Sequence, residues 1–227
     1  MTDKPMPLMV PLSEDAAVSA LLDVPDDPQA CYVFAHGAGA GMHHSFMAEI
    51  ARGLARRGVA VLRYQFPYME QGSKRPDSPK VAHAAIRQAA AFAARRLPDV
   101  PLFAGGKSYG GRMSSQAQAA EPLPGVRGLV FVGFPLHAAG QPSTDRAAHL
   151  DAVQLPMLFL QGTRDALADL ALIRDTTGAL GERATLHVVE GADHSFHVLA
   201  KFGRTDTQVR EELVDTMHGW MMRVAAG

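Results

Sequence analysis

At 227 residues, 47% of them hydrophobic and 20% charged, with a mean hydropathy of −0.02, the chain has the make-up of a globular protein that buries a substantial core, which excludes a disordered polymer. Its 22 Lys and Arg against 23 Asp and Glu leave a formal net charge of −1, so no overall field selects nucleic acid or an anionic membrane as a partner. With no internal repeat, low-complexity stretch or shift in composition, one domain spanning 1–227 is expected.

The first seven residues, broken by Pro5 and Pro7, lack the basic and apolar segments of a secretory signal, and no apolar run is long enough to span a bilayer. A soluble, cytoplasmic protein is expected. Residues 8–25 read as one or two antiparallel edge strands. From residue 30 onward, short runs rich in β-branched and aromatic residues alternate with stretches of helical period. That pattern predicts the α/β class, a mostly parallel sheet flanked by helices on both faces. The predicted strands are 31–35, 60–66, 101–105, 128–134, 157–161 and 185–189. Cys31, the sole cysteine, falls in the first of them with no intramolecular disulfide partner, which fits a reducing compartment. Phe46, Ile50 and Leu54 recur every fourth residue before Gly58 ends their helix. Residues 69–80, with Gly72, Pro76 and Pro79 among charges, read as an exposed loop. An alanine-rich helix is expected over 82–96, stopped by Pro98. A terminal helix over 205–224 places Val209, Leu213, Trp220 and Met221 on one face.

The chemistry is carried by Gly106-Lys107-Ser108-Tyr109-Gly110, where an apolar strand stops and a small-residue helix begins. A serine in so sharp a strand-to-helix turn takes a strained backbone conformation, and glycines two residues to either side remove the collisions that side chains there would cause. This is the pattern of a nucleophile elbow. A serine nucleophile needs a base to take its proton and an acid to orient that base. Asp165 lies just past the strand ending at Gln161, and His194 just past the strand ending at Val189. Loops at the carboxyl edge of a parallel sheet converge, so the three can meet, and their chain order is the Ser, Asp, His order of α/β-hydrolases. Asp193 is the rival acid, disfavoured because an immediate neighbour reaches the correct ring nitrogen with difficulty. The glycine-rich turn His36-Gly37-Ala38-Gly39-Ala40-Gly41 follows the first parallel strand. It offers backbone amides to an oxyanion, with Ala38 and the amide after the nucleophile, Tyr109, as the expected donors.

On these segments, His36 to Gly41, Gly106 to Arg112, Gly162 to Asp165 and Gly191 to His194, the chain resembles the α/β-hydrolases. It is similar in particular to the small lidless branch that includes dienelactone hydrolases and predicted hydrolases with HGAGAG and GKSxGGR signatures. The resemblance implies a serine hydrolase that cleaves an ester or thioester of a small-molecule acyl substrate through an acyl-enzyme, with no cofactor and no metal. Dienelactone hydrolases use a cysteine nucleophile where this chain has Ser108, which argues against that one substrate. The same branch resembles the hydrolase-like domain of a chromatin-complex subunit, so an interaction module without turnover is the alternative.

Other readings are weaker. Gly106-Lys107-Ser108 resembles the end of a phosphate-binding loop, but Pro101 occupies the position that loop reserves for its first glycine, and hydrophobic strand fills the interval. A dinucleotide fingerprint starting at Gly37 lacks its third small residue, replaced by Met42. The ten histidines include no recognised metal-ligand spacing; His43 and His44 read as the start of a helix near the pocket rim, and His36 as fixing the glycine-rich turn. Lys107 and Arg112 could orient an anionic substrate but read equally as solvated residues beside a turn. Tyr64, Phe66, Pro67 and Tyr68 suit a pocket wall or the core. The stretch from Leu136 to Leu155 is too short for a lid domain, so an open cleft is expected, with His137, Arg146 and His149 at its rim or simply solvated. Activity should fall as acid protonates His194.

Overall fold

A computed structural model of the chain describes residues 4–227. The strands are β1 (Met6–Pro11), β2 (Ala17–Asp23), β3 (Ala30–Ala35), β4 (Val59–Tyr64), β5 (Leu102–Lys107), β6 (Val126–Val132), β7 (Met157–Gly162) and β8 (Ala184–Val189). The helices are α1 (Ser45–Ala55), α2 (Pro67–Glu70), α3 (Pro79–Arg96), α4 (Tyr109–Ala120), α5 (Leu170–Ala179) and α6 (Asp206–Ala226), with a 3-10 helix at Asp145–Ala152. One eight-stranded sheet runs in the order β1-β2-β4-β3-β5-β6-β7-β8. The β1–β2 and β2–β4 pairs are antiparallel, and every other neighbouring pair is parallel.

The unbroken apolar run of β3 follows from burial on both faces. Cys31, Val33 and Ala35 face a core built with α3, α4 and α5, while Tyr32 and Phe34 face one built with α1 and α6. On α6 the side chains of Val209, Leu213, Trp220 and Met221 are all buried, as their spacing predicts. Parallel pairing aligns the carboxyl ends of β3, β5, β7 and β8 along one edge, so the loops that follow them share one end of the molecule.

The departures from the sequence reading are local. The predicted loop from residue 69 begins inside a short helix, α2, because Pro67 supplies a pre-set first helical residue. Pro79 likewise opens α3 three residues before the expected start at 82. β4 stops at Tyr64, two residues early, where its parallel partner β3 also ends at Ala35 and just before Pro67 opens α2. Between β6 and β7 the chain forms only the 3-10 helix, with no lid domain. Among the described residues, no helix is long and apolar enough to cross a membrane.

Candidate active site

Ser108 sits between β5 and α4 with φ 50° and ψ −116°, one of two non-glycine residues in the described chain with positive φ. Such a conformation disfavours any residue with a β-carbon, and it persists because its surroundings allow no other path. A β-carbon on Gly106 would lie 2.4 Å from the Ala35 carbonyl oxygen, and one on Gly110 would lie 2.5 Å from the same atom. These two glycines let the turn press against the end of β3. The Ser108 amide is tied across the sheet to the Val132 carbonyl at 3.1 Å.

The loops after β7 and β8 bring their side chains to this serine. His194 Nε2 lies 2.8 Å from Ser108 Oγ, and its Nδ1 lies 2.7 Å from Asp165 Oδ2. Asp165 is buried, and its oxygens take further hydrogen bonds from the Leu167 amide at 2.8 Å and the Gln161 side-chain amide. Gln161 is held in turn by the Phe134 amide, donating at 3.0 Å. A carboxylate so fully satisfied stays acceptor-only and obliges His194 to carry its proton on Nδ1, leaving Nε2 to receive one from Ser108. Asp193 does other work. Its Oδ1 accepts the Ser195 and His197 amides, at 2.8 and 3.0 Å, and so shapes the loop that presents His194.

The turn after β3 is set by His36. Its Nε2 accepts the Phe66 amide at 3.0 Å, so the ring proton resides on Nδ1 and is donated to the Gly37 carbonyl at 2.8 Å. That carbonyl and the Ala38 N–H belong to one planar trans peptide, so fixing the first aims the second. Burial holds the His36 pKa down to about 4 against the opposing Gly37 bond, which keeps this tautomer in place at neutral pH. Tyr68 Oη donates to the Ala38 carbonyl at 2.9 Å. Arg63 Nη1 donates to the Met42 carbonyl at 2.9 Å, while its Nη2 meets Asp23 at 2.8 Å in a buried ion pair. Among the described residues neither the Ala38 nor the Tyr109 amide has a protein acceptor, and Ala38 lines the cleft over Ser108. Two fixed donors beside the Ser108 hydroxyl are placed where they could receive a negative oxygen.

The model of one family, described as "Alpha/beta hydrolase domain", matches residues 28–222. The chain belongs to that family. Among solved structures, the chain is similar to a dienelactone hydrolase from Anabaena variabilis, with a TM-score of 0.76 and 18% identity over 97% of this chain and 98% of that one. A serine hydrolase without a lid from Xanthomonas campestris gives a TM-score of 0.74 and 22% identity over 97% and 96% of the two chains. Two Mycobacterium tuberculosis proteins, whose names provisionally give them as phosphoribosyl transferases, are 29% identical over 183 residues, covering 79% of this chain. The chain spans only 39% of their length.

Above Ser108 lies a cleft of about 320 Å³, whose walls include Ala38, Phe46, Met47 and Leu167 along with His194. Phe46 and Met47 come from the start of α1, which His44 caps by accepting the Phe46 amide. The aromatic residues at the end of β4 and just beyond it do not line this cleft: Tyr64, Phe66 and Tyr68 are buried in the core. His137 is also buried, accepting the Asp169 amide at 2.8 Å, so it is a strut of its loop and not a rim residue. Among the described residues there is no cluster of three side chains able to hold a metal ion.

Lys107 is not the solvated residue that its place beside a turn suggests. Its ammonium donates to the His194 carbonyl at 2.7 Å and lies 5.6 Å from the centre of the Phe196 ring. Gly133 makes room for it, since a β-carbon there would stand 3.1 Å from Nζ. Burial pushes the Lys107 pKa down to about 8, against the pull of Asp165 and Asp193. Between pH 8 and the ordinary lysine value the unfolded chain therefore holds a proton that the folded chain has released, and stability gains with pH in that window. Paired melting curves of the wild type and Lys107→Met are expected to show the wild type gaining on the variant as pH rises from about 8 to 10. Curves that stay parallel would contradict the buried ammonium.

The sequence does not single out Gln161, Phe46, Met47 or Leu167 as site residues: Phe46 enters only as part of a helical repeat and Gln161 only as the end of a strand. Gln161 left one signal, an amide closing an otherwise apolar strand, whereas the cleft residues left none, because their spacing is that of ordinary core.

Proposed function

We propose that this protein is a serine hydrolase that cleaves an ester or thioester of a small or exposed acyl substrate. Ser108 Oγ attacks the acyl carbonyl as its proton passes to His194 Nε2, and the carbonyl π electrons move to the oxygen held by the Ala38 and Tyr109 amides. Collapse of the adduct expels the alcohol or thiol, which takes the proton from His194. Water, deprotonated by the same ring, then attacks the acyl-serine and frees the acid. Asp165 keeps the imidazole in the required tautomer and balances its transient charge.

The observation that carries this reading is the unbroken hydrogen-bond chain from Ser108 Oγ through His194 to Asp165, at 2.8 and 2.7 Å. The apolar walls from Phe46, Met47 and Leu167 favour a short acyl group over a polar one. An interaction module that never turns over would have no use for the strained serine or for two amides left without acceptors. Phosphoribosyl transfer is not carried over from the Mycobacterium relatives, because the chain spans so little of their length.

A fluorophosphonate probe tests the reading. Stoichiometric labelling at Ser108 is expected in folded protein, together with hydrolysis of p-nitrophenyl acetate or butyrate faster than of the decanoate. Protein that is folded but unlabelled would support the interaction module instead.

A further inference from the structure

A second polar cluster lies outside the cleft, where α3, α4 and the 3-10 helix Asp145–Ala152 meet. It contains His83 from α3, Arg112 and Ser115 from α4, and Arg146 and His149 from the 3-10 helix. The Ser115 hydroxyl donates to the Arg112 carbonyl at 2.9 Å, so the 2.7 Å contact between Ser115 Oγ and His149 Nε2 is a bond that His149 donates. Arg146 Nη1 is bound to the His137 carbonyl at 3.0 Å. Arg112 has no hydrogen bond or ion pair from its guanidinium, and its Nε is buried without a partner. His83 Nε2 is buried without a partner as well.

Apart from the Tyr109 phenol, the charged side chains that act on His83, Arg112 and His149 are cationic. Burial and the neighbouring Arg146 lower the Arg112 pKa, and the opposing influence is the Tyr109 phenol, not a carboxylate. Burial, Arg112 and His83 hold His149 down to about 4, so it is neutral at physiological pH. Glu121, at the far end of α4, is paired with Arg87. A half-buried guanidinium without a hydrogen-bonded counter-charge, within electrostatic reach of a second guanidinium from another element, is costly unless something negative binds there. Guanidinium forks suit the planar or tetrahedral oxygens of carboxylate and phosphate.

We propose that Arg112, Arg146 and His83 form a binding site for one oxyanion, a phosphate or carboxylate group. The site borders the cleft without being part of it. The Arg112 amide is bound to the Ser108 carbonyl at 3.1 Å, and Arg146 reaches the cleft residue Leu167 through His137, whose amide donates to the Leu167 carbonyl at 2.9 Å. The anion can therefore be free in solution or carried by a larger molecule that also occupies the cleft.

Titration with inorganic phosphate, followed by melting temperature at fixed ionic strength, is the direct test and needs no turnover. The wild type should gain several degrees, saturably, when phosphate reaches about 100 times its dissociation constant. Arg112→Gln should weaken that constant at least tenfold, with Arg146→Gln as the second variant if the first does not fold. Folding of either is judged by circular dichroism and by fluorophosphonate labelling of Ser108. A second arm compares a neutral ester with one bearing a carboxylate or phosphate. A preference for the charged ester that disappears in Arg112→Gln supports an anion carried by the substrate, and phosphate binding without such a preference supports a free anion. A phosphate response that is absent in the wild type, or unchanged in both variants, overturns the site.

Discussion

Ser108→Ala is expected to lower kcat on any ester the protein hydrolyses by about 10⁴- to 10⁶-fold and to abolish fluorophosphonate labelling, with little change in melting temperature. The loss is large because the hydroxyl is the only atom that forms the acyl bond, and the remaining groups then act on water alone. Stability is spared because alanine meets the same backbone demand at φ 50° that serine already meets, and because only the bond to His194 Nε2 is lost. Turnover within about tenfold of the wild type, measured on protein free of contaminating esterase, would remove Ser108 from the mechanism.

Asp165→Asn is expected to cost about 10³- to 10⁴-fold in kcat with KM little changed. Asp165 faces three donors: His194 Nδ1, the Gln161 amide group and the Leu167 amide. An asparagine replaces one acceptor oxygen with an NH₂ group that must point at one of them. Turned toward His194, it forces the ring proton onto Nε2, where it blocks acceptance from Ser108; turned the other way, it opposes the Leu167 amide and strains the loop. Asp193→Asn is the informative contrast. Asp193 uses Oδ1 alone, for the Ser195 and His197 amides, and asparagine retains that oxygen. Its activity should stay within about tenfold of the wild type, and a larger loss than that of Asp165→Asn would reverse the roles assigned to the two acids.

The fold was legible because the central parallel strands are largely apolar runs between turns, β3 without a break, and burial on both faces imposes that pattern. The glycines around Ser108 were legible for a local reason: the turn tolerates no β-carbon at Gly106 or Gly110, so the requirement is written at the positions themselves. Asp165 and His194 could be placed together because sheet topology carries strand ends to one edge. What stayed hidden depends on distant partners. Nothing near Lys107 announces that its ammonium will reach a carbonyl 87 residues away, and a lysine beside a turn is usually solvated. The starts of α2 and α3 were missed because proline opens helices as readily as it ends them, and periodicity does not say which.

The buried Asp23–Arg63 pair has a structural consequence for the edge of the sheet. Asp23 ends β2, the strand that joins the antiparallel hairpin to the parallel strands, while the partnered guanidinium also grips the Met42 carbonyl. The hairpin is thus a buttress as well as a border: it neutralises the cation that braces the far end of the glycine-rich turn. Losing the aspartate would strand a positive charge in the interior, at a cost of about 3–5 kcal/mol, and would slacken the scaffold on which the amide of Ala38 is mounted.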